Sequence, residues 1–290
     1  MLFILKGQLM NYRIGITGPN GRLGSQFVLM GGIPMSCDLR DEDDVAMTIA
    51  MIKPDVIINC AAFTDVDVCE TEEGWKKAVA VNMRGVDRLR RLFSGKLIHI
   101  STDYVYDGKR GPYSEKQSEY NPVNRYGSSK LGGDLALLNP EDTTKETHIV
   151  RTTGLYGATM SRDDFANLVI TTLSGGQFLQ VTKELMGNQT YIPHLAEAIL
   201  KLAGMECSQK IINIGSKEVM SRYDFALTIA SIFALNKELL IPCKNQDIAS
   251  WKAERPSKGG LKTTLATNLR LPIYTILDGL KRLRDDTRGV

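Results

Sequence analysis

Four near-continuous apolar runs constrain this chain more than anything else in it. "YRIGITG" (12–18), "PDVIINCAA" (54–62), "KLIHIST" (96–102) and "THIVRTTGLYG" (147–157) each read as a strand without a polar face. Between them lie "GRLGSQFVLMG", "DEDDVAMTIAMIK" with an acidic first turn, and "EEGWKKAVAVNMRGVDRLRRLF", all patterned as helices. A strand buried on both faces needs helices on both. The alternation therefore predicts an α/β fold, a Rossmann-type doubly wound parallel sheet. Ligands in such sheets bind beyond the carboxyl ends of the strands, here Thr17-Gly18, Ala61-Ala62, Ser101-Thr102 and Thr152-Thr153.

Beyond about residue 155 the alternation loosens. "DDFANLVITTLSGG" and "YIPHLAEAILKLAG" read as helices, "KIINIGS" as a short strand, and Ser221 as the N-cap of "SRYDFALTIASIFA". The expected division is a dinucleotide-binding domain over 10–153 and a smaller C-terminal α/β substrate-binding region over 154–290, of which about 180–215 returns to the sheet. Met10 is a candidate natural start, because the first convincing strand begins at Tyr12.

Composition limits the function. The chain is 43% hydrophobic and 24% charged, an ordinary globular balance, and its net charge of +3 is too small and dispersed to argue for nucleic acid. The stretch Lys244 to Val290 carries ten Lys/Arg against five Asp/Glu, which suits either an anionic ligand or a solvated face. Cysteines 37, 60, 69, 207 and 243 form no CxxC or Cys/His cluster. That argues against zinc and for reduced thiols in a cytoplasmic protein, with Cys60 a small core residue. No run is long enough to span a bilayer.

"ITGPNGRLGS" sets Gly18, Gly21 and Gly24 between a strand and a helix start. In that context glycines allow a tight turn and a close backbone approach to a pyrophosphate, whose charge the helix N-terminus favours. Asp38 is a candidate acid for a ribose hydroxyl, but its place directly before the next helix suits an adenine-side contact better. Arg22 or Arg40 is then free to accept a 2′-phosphate, which favours NADPH over NADH.

"LIHISTDYVYDG" ends a strand at Thr102, and "NRYGSSKLGGD" places Tyr126 four residues before Lys130. Taken alone, a Tyr/Lys pair at this spacing is as compatible with a chance helix face as with catalysis. Carbonyl reduction needs a proton donor and a group that polarises the ketone. A tyrosine with a lysine ammonium one turn away supplies the first, and a strand-end hydroxyl the second. Thr102, Tyr126 and Lys130 make a complete set if a dinucleotide lies beside them, and the glycine loop supplies that condition.

The segments "ITGPNGRLG", "KPDVIINCAAFTDVDVCE", "HISTDYVYDG", "PVNRYGSSKLGGD", "IVRTTGLYG" and "ERPSKGGL" together resemble an extended short-chain dehydrogenase/reductase, most closely the dTDP-4-dehydrorhamnose reductase family, over roughly residues 12 to 270. The resemblance implies NAD(P)H-dependent reduction of the C4 ketone of a 4-keto-6-deoxy sugar nucleotide. It implies that Gly18, Asn20, Gly21, Arg22 and Leu23 cradle the pyrophosphate, that Asp38 and Leu39 flank adenine, and that Ala61, Ala62 and Phe63 line the cofactor cleft near Asn82. Thr102, Tyr126 and Lys130 are its catalytic residues, Asp103, Val105 and Gly154 lie beside the sugar, and Arg255 is a candidate for the nucleotide diphosphate. Its implied partners are a nucleotide-sugar substrate and a second copy in a homodimer, without nucleic acid or membrane.

The departures bear on specificity. The family's second strand is cut down here, a tryptophan that packs on the sugar is Gly154, a later aspartate is His194, and a glutamate linked to metal-assisted dimerisation is Gln26, so no metal is expected. Tyr104 after Asp103 argues against a dehydratase. An epimerase and a non-catalytic NADP-binding regulatory subunit remain as alternatives. "TDVDVCETEE" reads as a solvated loop and helix start, His99 as a hydrogen-bonded strand residue, His148 as a polar connection before a strand, and His194 as a candidate substrate contact.

Overall fold

The computed structural model describes residues 3–5, 8–10, 12–138, 146–157 and 164–288. Phe3–Leu5 and Gln8–Met10 pair antiparallel as a separate hairpin. The central sheet then follows from the apolar runs. Its strands are β1 (Ile14–Thr17), β2 (Ile33–Met35), β3 (Val56–Asn59), β4 (Lys96–Thr102), β5 (Thr147–Thr152) and β6 (Ile211–Asn213), in the order β6-β5-β4-β3-β1-β2, all parallel. β2 is indeed only three residues long, at the sheet edge.

Two-residue periodicity sorts the side chains onto two covered faces. Ile14, Ile16, Val56, Ile58, Ile98 and Val150 pack with Phe27 of α1 (Arg22–Leu29) and with Leu195, Ile199 and Leu202 of α4 (Ile192–Ala203). Ile57, Leu97 and Ile149 pack on the other face with Val45 of α2 (Glu42–Ile52) and with Leu89. Each such fully buried aliphatic contributes roughly 1.5–3 kcal/mol relative to exposure. Asp41 caps α2 by accepting from the Asp43 and Asp44 amides.

The long helix expected over "EEGWKKAVAVNMRGVDRLRRLF" has a different middle. Glu72–Ala78 and Val86–Leu92 are α-helical, but Val79–Gly85 widens to a π-helix. The wide turn carries the buried Asn82, whose carboxamide accepts from the Phe63 amide (2.8 Å) and donates to the Phe63 carbonyl (2.9 Å) and to Ser129 Oγ (2.8 Å). One side chain thus ties the segment after β3 to helix α3 (Arg125–Leu137).

The second half builds its own core. Tyr156, Val169, Leu173, Phe225, Ile229 and Leu280 join the helices Phe165–Ser174, α5 (Arg222–Ile232) and Ile276–Arg288. The return to the sheet is narrower than expected. Leu179–Thr182 pairs instead with Leu240–Cys243, while α4 and β6 complete the Rossmann layers. His148 lies inside β5, buried, with its ring on the Gln209 carbonyl, not in a polar connection.

Candidate active site

The cleft lies where the sheet's carboxyl ends meet this second core, with a volume of about 380 Å³. It begins at the switch point: the chain leaves β1 for β2 on one side and returns as β3 on the other. Gly18 sits there with φ 60°, and a Cβ added to it would stand 2.8 Å from the Ala61 nitrogen and Cα. Gly24 packs beneath it, where a Cβ would overlap the Gly18 carbonyl. Gly21 faces open space, its nearest neighbour being the Gly18 oxygen at 3.4 Å. The loop therefore forms a cradle floored by backbone and open above, which fits a dinucleotide pyrophosphate. Gly18→Ala should cost about 1–3 kcal/mol of stability and weaken NADPH binding by more than about tenfold. Urea unfolding and coenzyme fluorescence titration measure the two effects.

Thr102, Tyr126 and Lys130 do converge on this cleft, together with Gly21, Arg22, Leu23, Gly24, Ala62 and Gly154. Helix α3 delivers the pair. Asn124 caps it by accepting from the Gly127 amide (2.7 Å) and donates to the Glu254 carbonyl (2.8 Å). Inside the protein, Asp134 of α3 takes the Nε and Nη2 of Arg151 of β5 at 3.1 and 3.0 Å, both residues fully buried. Arg151 also donates to the Tyr106 hydroxyl (2.6 Å) and lies against the Tyr106 and Tyr120 rings.

The electrostatics differ from the sequence expectation in one respect. Burial pushes the Tyr126 phenol up, with Tyr104 and Asp103 adding to the shift and a hydrogen bond with Thr102 opposing it. Lys130 does not offset this, because its ammonium is turned to the strand. It donates to the Ile100 carbonyl (2.7 Å) and lies 3.3 Å from His99 Nε2. Burial lowers Lys130 to about 8, against the raising effect of Asp134. Without coenzyme, Tyr126 is thus a protonated phenol, an acid in waiting rather than a phenolate. His99 is a buried strand residue, its Nδ1 2.9 Å from Asn59 Nδ2, and Asn59 in turn accepts from Thr17 Oγ1 (2.6 Å).

Several expected site residues stand elsewhere. Asp38 and Arg40 form an exposed ion pair at 2.6 Å, which holds the Asp38 carboxyl down at about 2, chiefly through the Arg40 hydrogen bonds. Leu39 is buried in the core beyond β2. Asn20 is exposed, and Ala61 and Phe63 stand behind the lining. Val105 is a core residue, packed with Tyr106, Tyr113 and Leu261. Asp103 accepts from the Gly260 amide (3.0 Å), pinning the late "KGGL" turn, and burial raises it to about 6. Arg255 does not line the cleft: Asp67 clasps it through both oxygens, at 3.1 and 2.6 Å. Asp67 therefore belongs to an anchor, also accepting from the Lys252 and Ala253 amides, and not to a solvated loop.

At Gly154, φ is 60° and an added Cβ would stand 2.5 Å from Gln189 Oε1. Gln189 itself lines the cleft there. His194 lies outside the cleft, stacked on Tyr274 at 3.7 Å. Cys60 packs against the sheet core, as expected, and also reaches the cleft lining. Sequence reading passed over Arg222, Phe165 and Gln189. Ser221 was legible as a cap, and the residue after it was a signal left unread.

The profile of the RmlD substrate binding domain matches residues 12–287. The chain belongs to this family. Family members with a similar sequence include a dTDP-4-dehydrorhamnose reductase of Mycobacterium tuberculosis, 34% identical over 75% of this chain and 74% of that protein. The methionine adenosyltransferase 2 subunit beta of Danio rerio is 30% identical over 82% of this chain and 74% of its own length. Among solved structures, dTDP-4-dehydrorhamnose reductase from Bacillus anthracis, in complex with NADP, superposes with a TM-score of 0.85 at 26% identity, covering 96% of this chain and all of that one. Among the described residues, no helix is long and apolar enough to cross a membrane, and no His/Cys/Asp/Glu group is arranged to hold a metal ion.

Proposed function

We propose that the protein reduces the C4 ketone of a 4-keto-6-deoxy sugar nucleotide with NADPH, dTDP-4-dehydro-L-rhamnose being the expected substrate. The observation that carries this reading is the convergence of Thr102, Tyr126 and Lys130 on the cleft that begins at the glycine cradle. The reductase relatives and the NADP-bound neighbour support it.

The bound nicotinamide supplies the hydride. The chain's own residues do the rest. Tyr126, kept protonated by burial, donates its proton to the ketone oxygen as charge develops there. Thr102 holds a hydroxyl beside that oxygen. Lys130 would hold the coenzyme ribose and, with its ammonium turned from the Ile100 carbonyl towards the cleft, would stabilise the phenolate that Tyr126 becomes. Arg22 spans the cleft mouth, with Nη1 3.3 Å from the Leu155 carbonyl, and offers a cation at the cradle. The exposed Asp38–Arg40 pair is weak in solvent, so a 2′-phosphate can take Asp38's place on Arg40. A soluble homodimer acting in the cytoplasm is part of the same reading.

The test is oxidation of NADPH and NADH with a panel of 4-keto-6-deoxy sugar nucleotides. Turnover with dTDP-4-dehydro-L-rhamnose is expected. The Danio rerio relative favours a second reading, a regulatory subunit, and coenzyme binding without turnover of any sugar would establish it in place of the first.

A pH dependence follows from Lys130. With its ammonium titrating at about 8, the cation is present below that pH and lost above it. NADPH affinity should therefore fall as pH rises from about 7 to about 9. In Lys130→Met that dependence should be absent. An equal pH slope in both proteins would remove Lys130 from the site.

A further inference from the structure

Among the described residues the cleft is lined by three cations, Arg22, Lys130 and Arg222, and by no aspartate or glutamate. Arg22 stands at the cradle and Lys130 at the sheet end. Arg222 stands on the opposite wall, at the first turn of α5, and the proposed reaction gives it no task. Its guanidinium carbon lies 4.6 Å from the Phe165 ring centroid and 5.9 Å from that of Trp251. Its guanidinium has no hydrogen-bond or ion-pair partner among the described residues, though its backbone amide donates to the Leu185 carbonyl.

The neighbouring arginine makes the contrast. Arg255 has its guanidinium carbon 4.8 Å from the centroid of the same Trp251 ring, and Asp67 neutralises it. Among the described residues no carboxylate compensates the charge of Arg222, which lies beside a cleft large enough for a ligand. Burial makes an unpaired cation unfavourable, and a guanidinium fixed by ring stacking presents its donor edge in a defined direction. An anion arriving with the ligand resolves that imbalance and can accept two parallel N–H bonds.

We infer that Arg222, not Arg255, receives the diphosphate of the nucleotide sugar, and that it stands on the substrate side of the cleft as Arg22 stands on the coenzyme side. This rests on the sugar-nucleotide reading above. The division of labour explains how one cleft accepts two pyrophosphate-bearing ligands: each has its own arginine, with the sugar and nicotinamide meeting between them at Tyr126.

The test is binding, independent of turnover. Free dTDP, UDP and GDP are titrated calorimetrically into the wild type, Arg222→Met, Arg222→Lys and Arg22→Met, and NADPH into the same proteins. Arg222→Met should weaken the best-bound nucleoside diphosphate by about 10- to 100-fold and leave NADPH within about twofold. Arg222→Lys, which keeps a cation and the fold, should lose less. Arg22→Met should show the opposite pattern. A wild type that binds a nucleoside diphosphate, with Arg222→Met and Arg222→Lys binding it equally well, would overturn the assignment and leave the reductase reading standing. A wild type that binds NADPH but none of the three diphosphates would overturn the substrate reading, and Arg222's role with it.

Discussion

Tyr126→Phe should lower kcat by about 100- to 10,000-fold, with NADPH affinity unchanged within about threefold. The substitution removes one oxygen from a ring that keeps its edge-to-face contact with Tyr104 at 5.7 Å, so the cleft wall survives while the proton donor is lost. Steady-state oxidation of NADPH with the keto sugar reads the first quantity and coenzyme fluorescence the second. Retention of full turnover by the phenylalanine variant would discard Tyr126 as the acid. Burial also predicts that in the coenzyme-free protein Tyr126 ionises later in an alkaline titration than an exposed tyrosine, which ultraviolet difference absorbance detects.

Asp134→Ala should destabilise the fold by about 3–5 kcal/mol, because it strands the fully buried Arg151 without its carboxylate. Asp134 lies one helical turn beyond Lys130, so the same change should also loosen the helix that carries Tyr126 and Lys130. The double variant Asp134→Leu/Arg151→Met removes both charges at once and should recover most of the lost stability. Chemical unfolding of the single and double variants gives both numbers. If the single substitution cost under about 1 kcal/mol, the ion pair would not be what docks α3 to β5.

Arg151 and Asp134 show why part of this site was hidden. Both sit inside segments whose pattern announced a strand and a helix, and neither pattern says that the two polar side chains meet in the interior. The same holds for Asp67, which local reading left in solvent and the fold gave to Arg255, 188 residues away. Lys130 is the subtler case. Its spacing from Tyr126 predicts a shared helix face, and the shared cleft follows, but the rotamer that turns its ammonium to the Ile100 carbonyl depends on how deep α3 settles on the sheet.

Gly154 changed most in meaning. As a sequence position it was an aromatic wall gone missing. In the fold it is a left-handed turn against Gln189, which occupies the space a side chain at 154 would need. Phe165 and Arg222 line the same cleft.

The sequence by itself determined the parallel sheet, its carboxyl-end cleft, the glycine cradle and the Thr102, Tyr126 and Lys130 set. These are written in periodicities of two and 3.6 residues and in short-range spacing, which local sterics and burial enforce. Only the tertiary structure decided which charges are paired and which are free. Ion pairing between residues distant in sequence leaves no local pattern, and it is this pairing that leaves Arg255 neutralised and Arg222 open to the cleft.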